Sequence, residues 1–291
     1  MSEDYMLTYE SPAAKSSITF TGGLTAETML DLRGREWSYS LASKGLKNVT
    51  RKARELTLPV KVLPTIASDA ATSMQELMDM ADGDMAASTP GRLYFRKSLK
   101  YNIYNDWFSQ AFITKTKWKK VTGGLLEVEL TIVLLDGLWR RSVGTQAFSA
   151  WLSSGDGNGG MPYDMPYDLA YPKTVQTLKN PSSSPCEFVA RLFGPVSNPQ
   201  FKIGDNKYAF AITIPDGGRL DVTSFMGDKS ITLTRENGDK TNEFACGSRG
   251  SGSGSGEYCF ELIQPGEQVV TISDNWTLTV DLYEVSGSPK W

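Results

Sequence analysis

The chain has 291 residues, 40% of them hydrophobic and 22% charged, with a formal net charge of −3 and no histidine at all. That length predicts two domains of ordinary globular composition, and no apolar run approaches the ~18 residues of a membrane span. Without histidine there are no Ser-His-Asp or Cys-His nucleophile pairs and no histidine bases or metal ligands, and the acidic balance gives no global pull toward nucleic acid.

The opening MSEDYMLTYE is acidic and polar, so no secretory signal is expected. Reduced thiols are then expected at Cys186, Cys246 and Cys259, with Cys246 and Cys259 close enough in sequence to allow a disulfide. Residues 1–141 hold 19 Lys and Arg against 16 Asp and Glu, and residues 142–291 hold 11 against 17. The halves therefore differ in sign, as two solvated surfaces of different composition would.

Two strands are predicted over residues 36–62. Trp37, Tyr39 and Leu41 alternate with Ser38 and Ser40, and Leu56, Leu58, Val60 and Val62 alternate with Thr57, Pro59 and Lys61. A period of two puts each apolar set on a core face, while Pro59 marks an edge or an unpaired side. The basic stretch between them, with Lys47, Arg51, Lys52 and Arg54, reads as a long hairpin tip. The period then changes. Ala70, Met74, Leu77, Met78 and Ala81 form the apolar stripe of a helix over 69–82, capped by Asp69 or by Ser73 with Glu76.

Residues 91–140 return to strands. Leu126, Val128, Leu130, Ile132 and Leu134 make one face of the last, and the other face turns apolar at Val133 and Leu135. An outer face that becomes apolar is expected to be covered, either by the domain's own helix or by a second copy of the chain, so Val133 and Leu135 are candidate interface residues. Residues 142–183 lose periodicity and carry SSGDGNGG, a tandem MPYDMPYD and NPSSSP. They read as a connector between domains 1–141 and 184–291, extended by its prolines and with its tyrosines packed against neighbouring structure. From Cys186 onward short alternating strands dominate. Turns are expected at Asp216-Gly217, at Asn237-Gly238 and at Pro265-Gly266, and Tyr258, Phe260 and Leu262 read as one strand. This is the pattern of an antiparallel sandwich.

Chemistry is sparse. GDGNGG (155–160) matches a dinucleotide-loop pattern, but Pro162 and Pro166 oppose the helix that would have to follow. Asp156 and Asn158 lack the remaining ligands of a calcium loop, and no carboxylate pair singles itself out for glycoside hydrolysis. GSRGSGSGSG (247–256) has the composition of a flexible linker. The reading is a non-enzyme with no cofactor and no metal.

Several stretches together resemble the distal tail protein family of long-tailed bacteriophages, especially those of Gram-positive hosts. They are GREWSYSLASKGL to ARELTLPVKVL at 34–63 with the Met-rich helix after it, the PYD connector at 162–168, PQFKIGDNKYAF at 199–210, GGRLDVTSF at 217–225, IQPGEQVVTI at 263–272 and the final SPKW. The resemblance implies a mainly β protein: a split-barrel-like N-terminal domain with one helix, and a galectin-like antiparallel β-sandwich. It implies a virion protein at the distal end of the tail, made in the host cytoplasm. A ring of this protein, typically a hexamer, would join the tail tube protein to tail-tip, tail-associated and receptor-binding proteins. DNA would be passing cargo, and no membrane would be a partner. Tyr163, Tyr167 and Tyr171 would pack the connector between ring and peripheral domain. The Gly-rich arm at 153–160 and the loop at 247–256 depart from the family pattern.

A carbohydrate-binding module with an accessory domain is the competing reading, with Trp151, Tyr163, Tyr167 and Trp291 as stacking aromatics. Galactose recognition in galectins uses a histidine, absent here, and Trp276 alternates with Leu278 and Val280 on what should be the core face. The sandwich is therefore expected not to bind galactosides.

Overall fold

The computed structural model describes residues 5–26, 32, 34, 37–43, 45–50, 52–63, 70–97, 106–122, 125–149, 176–273 and 276–290. Two compact units emerge: Met1–Arg141 with Val285–Trp291, and Ser142–Glu284.

The first unit contains β1 (Tyr5–Ser11), β2 (Ser16–Thr19), β3 (Leu24–Ala26), β4 (Ser38–Ala42), β5 (Gly45–Thr50), β6 (Arg54–Val62), α1 (Ala70–Ala87), β7 (Gly91–Lys97), β8 (Trp107–Thr122), β9 (Leu125–Leu134) and the start of β10 (Trp139–Ser149). Its main sheet is antiparallel throughout, in the order β2-β1-β7-β8-β9-β6-β3. The edge strands β2 and β3 are separated in sequence by Phe20–Gly23 alone. Five Cα steps reach at most ~19 Å, whereas six strand spacings laid flat would span ~29 Å. The sheet therefore curls until its edges approach, and this is what makes a barrel of it.

Alternation places the core. Leu56, Leu58, Val60 and Val62 of β6 and Val128, Leu130, Ile132 and Leu134 of β9 are buried on the inner face, in register across the pair. Pro59 costs no ladder bond on the second side, because β3 reaches β6 only from Val60 onward. Helix α1 fills the interior. Ala70, Met74, Leu77, Met80 and Ala81 join the same apolar cluster, with Met78 partly buried beside them. The helix runs to Ala87, and Ser73 lies inside it rather than at its cap; Asp69 falls outside the described residues.

One polar residue sits on the buried face of α1. The Asp84 carboxylate accepts hydrogen bonds from the Tyr9 hydroxyl (2.7 Å), the Ser11 hydroxyl (2.6 Å) and the Ala13 N–H (3.3 Å). It ties the turn after β1 to the helix. After β9 the chain turns through Asp136, whose carboxylate accepts from the Leu138 N–H (3.0 Å) and pairs with the buried Arg140 (2.5 Å). β10 then takes up the edge of β8 through Arg140 opposite Phe108 and Arg141 opposite Trp107.

The second unit holds the rest of β10, β11 (Gln176–Asn180), β12 (Glu187–Phe193), β13 (Val196–Ser197), β14 (Gln200–Ile203), β15 (Asn206–Ala209), β16 (Thr213–Ile214), β17 (Arg219–Thr223), β18 (Ser230–Thr234), β19 (Lys240–Asn242), β20 (Gly266–Ile272) and most of β21 (Thr277–Ser286). One sheet runs β19-β18-β17-β12-β21-β10, the other β11-β20-β14-β15, and β13 pairs with β16. Inward side chains of both sheets, among them Phe188, Leu220, Val280, Phe201 and Val270, form a single core. This is a sandwich of two antiparallel sheets. β18 and β19 pair across Asn237-Gly238, where Gly238 adopts φ +87°.

Four expectations about the connector and the second half of the chain change. Strand β10 continues to Ser149 and β11 begins at Gln176, so both ends of the stretch read as connector are ladder-bonded strand; residues 150–175, with Tyr163, Tyr167, Tyr171 and the MPYD tandem, lie outside the described residues. Val285–Trp291 belongs to the first unit, where the Lys290 ammonium lies 6.0 Å from the centre of the Trp107 ring. Tyr258–Leu262 is not a strand, although Phe260 is buried. Its aromatic spacing serves a turn packed onto the core.

The fourth change concerns the Gly/Ser loop, which is ordered by a specific ladder. Lys207 N–H donates to Gly256 O (2.8 Å), Ser248 N–H to Ala209 O (2.9 Å) and Ala211 N–H to Cys246 O (2.8 Å). The loop thereby covers the free edge of β15, a position that would otherwise invite strand addition. Gly250, Gly252, Gly254 and Gly256 all have positive φ. The alternating glycines are conformational requirements of one path, not a sign of slack.

Candidate interaction surfaces

Among the described residues, strands β4 and β5 pair with each other and with no third strand. Their turn closes with Ala42 opposite Gly45, which has φ +127°. A lone two-stranded hairpin is marginal in water, and this one exposes Trp37, Tyr39, Leu41 (81%) and Leu46 (57%). The expectation that Trp37, Tyr39 and Leu41 face a core is thus corrected. Alternation marks a face that needs cover, but it does not say that the same chain supplies the cover.

Of the two interface candidates on β9, Val133 is half-buried, in register with Glu55 on β6 and Phe112 on β8. Leu135 lies just past the strand end, 37% exposed, with its N–H donated to Gln110 O (3.0 Å). Helix α1 cannot roof them, since its buried residues pack with Leu130, Ile132 and Leu134 on the opposite face. Further along, the outer surface turns ionic. Lys117 stands opposite Glu129, and the Lys119 ammonium meets the Glu129 carboxylate at 2.9 Å. The apolar outer patch is therefore confined to Phe112, Val133 and Leu135.

On the sandwich, the outer face of the six-stranded sheet is a closed ionic ladder. Arg191 pairs with Asp281 (2.5 Å) and lies 3.7 Å from Asp221, which in turn pairs with Arg219 (2.9 Å). The Thr145 hydroxyl donates to Asp281 (2.6 Å). Each charge already has its counter-charge. Trp276 is buried against Phe201 in the core and offers no stacking platform. Trp151 and Trp291, like the connector tyrosines, lie outside the described residues.

The three cysteines are free thiols. Burial, then the neighbouring charges of Glu243 and Cys259, push the Cys246 thiol up to about 11. No three His, Cys, Asp or Glu side chains among the described residues are grouped to hold a metal.

A curled antiparallel barrel around one helix and an antiparallel sandwich make this a mainly β protein. Its fold is shared with solved chains of phage baseplates and tail hubs. A chain of the phage P2 baseplate in its activated conformation with calcium has a TM-score of 0.61 over 98% of this chain and 99% of its own, at 8% identity. The strontium form of the activated phage p2 baseplate gives 0.59 over the same shares, also at 8% identity. The SPP1 Dit protein, described as a paradigm of hub adsorption apparatus in phages infecting Gram-positive bacteria, gives 0.50 over 97% of this chain and all of its own, at 10% identity. The likeness is one of fold. No protein-family model and no curated protein sequence matches the chain.

Proposed function

We propose that this protein is a structural hub at the distal end of a phage tail. A ring of copies, most simply six, joins the tail tube to the host-attachment proteins and leaves a channel for DNA. The observation that carries the reading is the full-length match, both units included, to baseplate and hub chains. The ring interface is drawn from the first unit. The β4–β5 hairpin, with Tyr39, Leu41 and Leu46 exposed, would be buried on a neighbouring copy, and Val133 and Leu135 would add the apolar end of β9. The role is architectural rather than enzymatic.

Light scattering on the purified full chain at micromolar concentration should give a closed oligomer of the 32.0 kDa chain. The double variant Leu41→Asp, Leu46→Asp should run as a folded monomer, because the substituted side chains are exposed within each chain. A strict monomer for the unmodified protein, even with the adjoining tail proteins present, would sink the proposal.

A further inference from the structure

The outer face of the sandwich's second sheet carries two cations that stand opposite each other. Phe201, Ile203, Tyr208 and Ile272 are buried in the core, and Lys202, Lys207, Thr271 and Ser273, which alternate with them, are exposed. In register, Lys202 of β14 lies between Lys207 of β15 and Thr271 of β20. The Lys207 N–H donates to Gly256 O (2.8 Å), away from β14. Lys202 and Lys207 are therefore a non-hydrogen-bonded pair, the closer kind, with Cα atoms ~4.5 Å apart. In the next row on this face, ~7 Å along the strands, the Ser273 hydroxyl donates to Gln200 O (3.1 Å).

Like charges directly opposite each other weaken a ladder. The other sheet of the same sandwich avoids this by pairing Arg191 and Arg219 with aspartates. Lys179, on the same face as Lys202, stands opposite Glu267. Lys202 and Lys207 make no ion pair among the described residues, and Asp205, in the turn between β14 and β15, pairs with neither. With Gln200, Phe201, Thr271 and Ser273 they line a cleft of about 200 Å³, and among the described residues no carboxylate is in its wall. Two ammonium groups, the Thr271 hydroxyl and the Gln200 amide offer donors to one anion. A carboxylate neutralises only one of the two charges, whereas a phosphate dianion answers both and keeps acceptors for the rest. Gln200 also lines a second cleft of about 260 Å³, with Asn198 and Ser248. There is room, then, for the anion to be one end of a larger, polar ligand.

We propose that this face binds a phosphate ester, with its phosphate held between Lys202 and Lys207 and its alcohol part directed past Gln200 toward Asn198 and Ser248. The site lies wholly on the sandwich, so the inference stands whether or not the chain forms a ring. The test is phosphorus NMR of glycerol phosphate titrated with the full-length protein. The ester signal should broaden, more than that of inorganic phosphate at equal concentration, and acetate at that concentration should not displace it. Lys202→Gln and Lys207→Gln should each weaken binding about tenfold, the worth of one charge-assisted hydrogen bond, and the double variant should show none. Both positions are exposed and the two charges repel, so the melting temperatures of these variants should equal or exceed the parent's. Lys179→Gln, which removes a cation of the same face outside the cleft, should bind as the parent does. No broadening, binding kept by the double variant, or an equal loss in Lys179→Gln would overturn the proposal. So would inorganic phosphate and sulfate competing as well as the ester itself, the mark of an adventitious ion only.

Discussion

Asp84 offers the sharpest test of how the first unit is held together. Its carboxylate sits in the last turn of α1, where the helix dipole disfavours negative charge. It is fully buried, as are Tyr9 and Ser11, which donate to it. Tyr9→Phe removes one hydroxyl and no packing volume. The lost bond is charge-assisted and buried, worth ~1.5–3 kcal/mol. For a unit of about 150 residues each kcal/mol moves the melting temperature by ~2–4 °C, so Tyr9→Phe should lower the first thermal transition by ~4–8 °C for a loss of ~2 kcal/mol. Asp84→Ala strands two hydroxyls and the Ala13 N–H together and should cost ~3–5 kcal/mol. A Cβ on Gly91 would lie 2.3 Å from the Tyr9 hydroxyl oxygen and 2.5 Å from the ring carbon that bears it. Tyr9→Phe keeps that ring carbon, so Gly91→Ala should stay damaging in a Tyr9→Phe background. Differential scanning calorimetry on the three single variants and the double variant checks all of this. A Tyr9→Phe transition within ~1 °C of the parent, or a harmless Gly91→Ala in the Tyr9→Phe background, would refute the reasoning.

Three further outcomes concern the second unit. Because the folded Cys246 thiol is pushed up to about 11 from an ordinary 9.0, it should alkylate near pH 8 about a hundredfold more slowly than a free thiol. The same shift links stability to pH. The contribution is intact below pH 9.0 and lost as pH rises toward about 11, so urea melts across that window should show falling stability, less steeply in Cys246→Ala. Tyr208, also raised by burial, adds to the decline above about pH 10. At Gly254, with φ +81° and open space around it, Gly254→Ala should cost ~1–2 kcal/mol through conformation alone. Hydrogen exchange at the Lys207 amide, bonded to Gly256 O, should quicken; a Lys207 amide that exchanges freely in the parent would mean the loop does not cover β15.

Much of this molecule is written in its periodicities. The buried faces of β6, β9 and β21, the stripe of α1 and the Asn-Gly hairpin follow from side-chain alternation and turn chemistry that act over a few residues. The lack of histidine, a matter of composition, removes histidine-based catalysis and histidine metal ligation. The sequence could not say what covers an apolar face. Trp37, Tyr39 and Leu41 alternate as regularly as Leu56, Leu58 and Val60, yet the first set stands exposed at a two-stranded hairpin and the second lines a core. Nor could it order the Gly/Ser loop, whose path is set by Lys207 and Ala209, partners supplied by chain folding rather than by neighbours on either side. The Asp84 lock likewise depends on a hydroxyl brought from 75 residues away. Local pattern determines which side chains must leave water; only the tertiary structure decides against what, because that choice belongs to contacts distant in sequence.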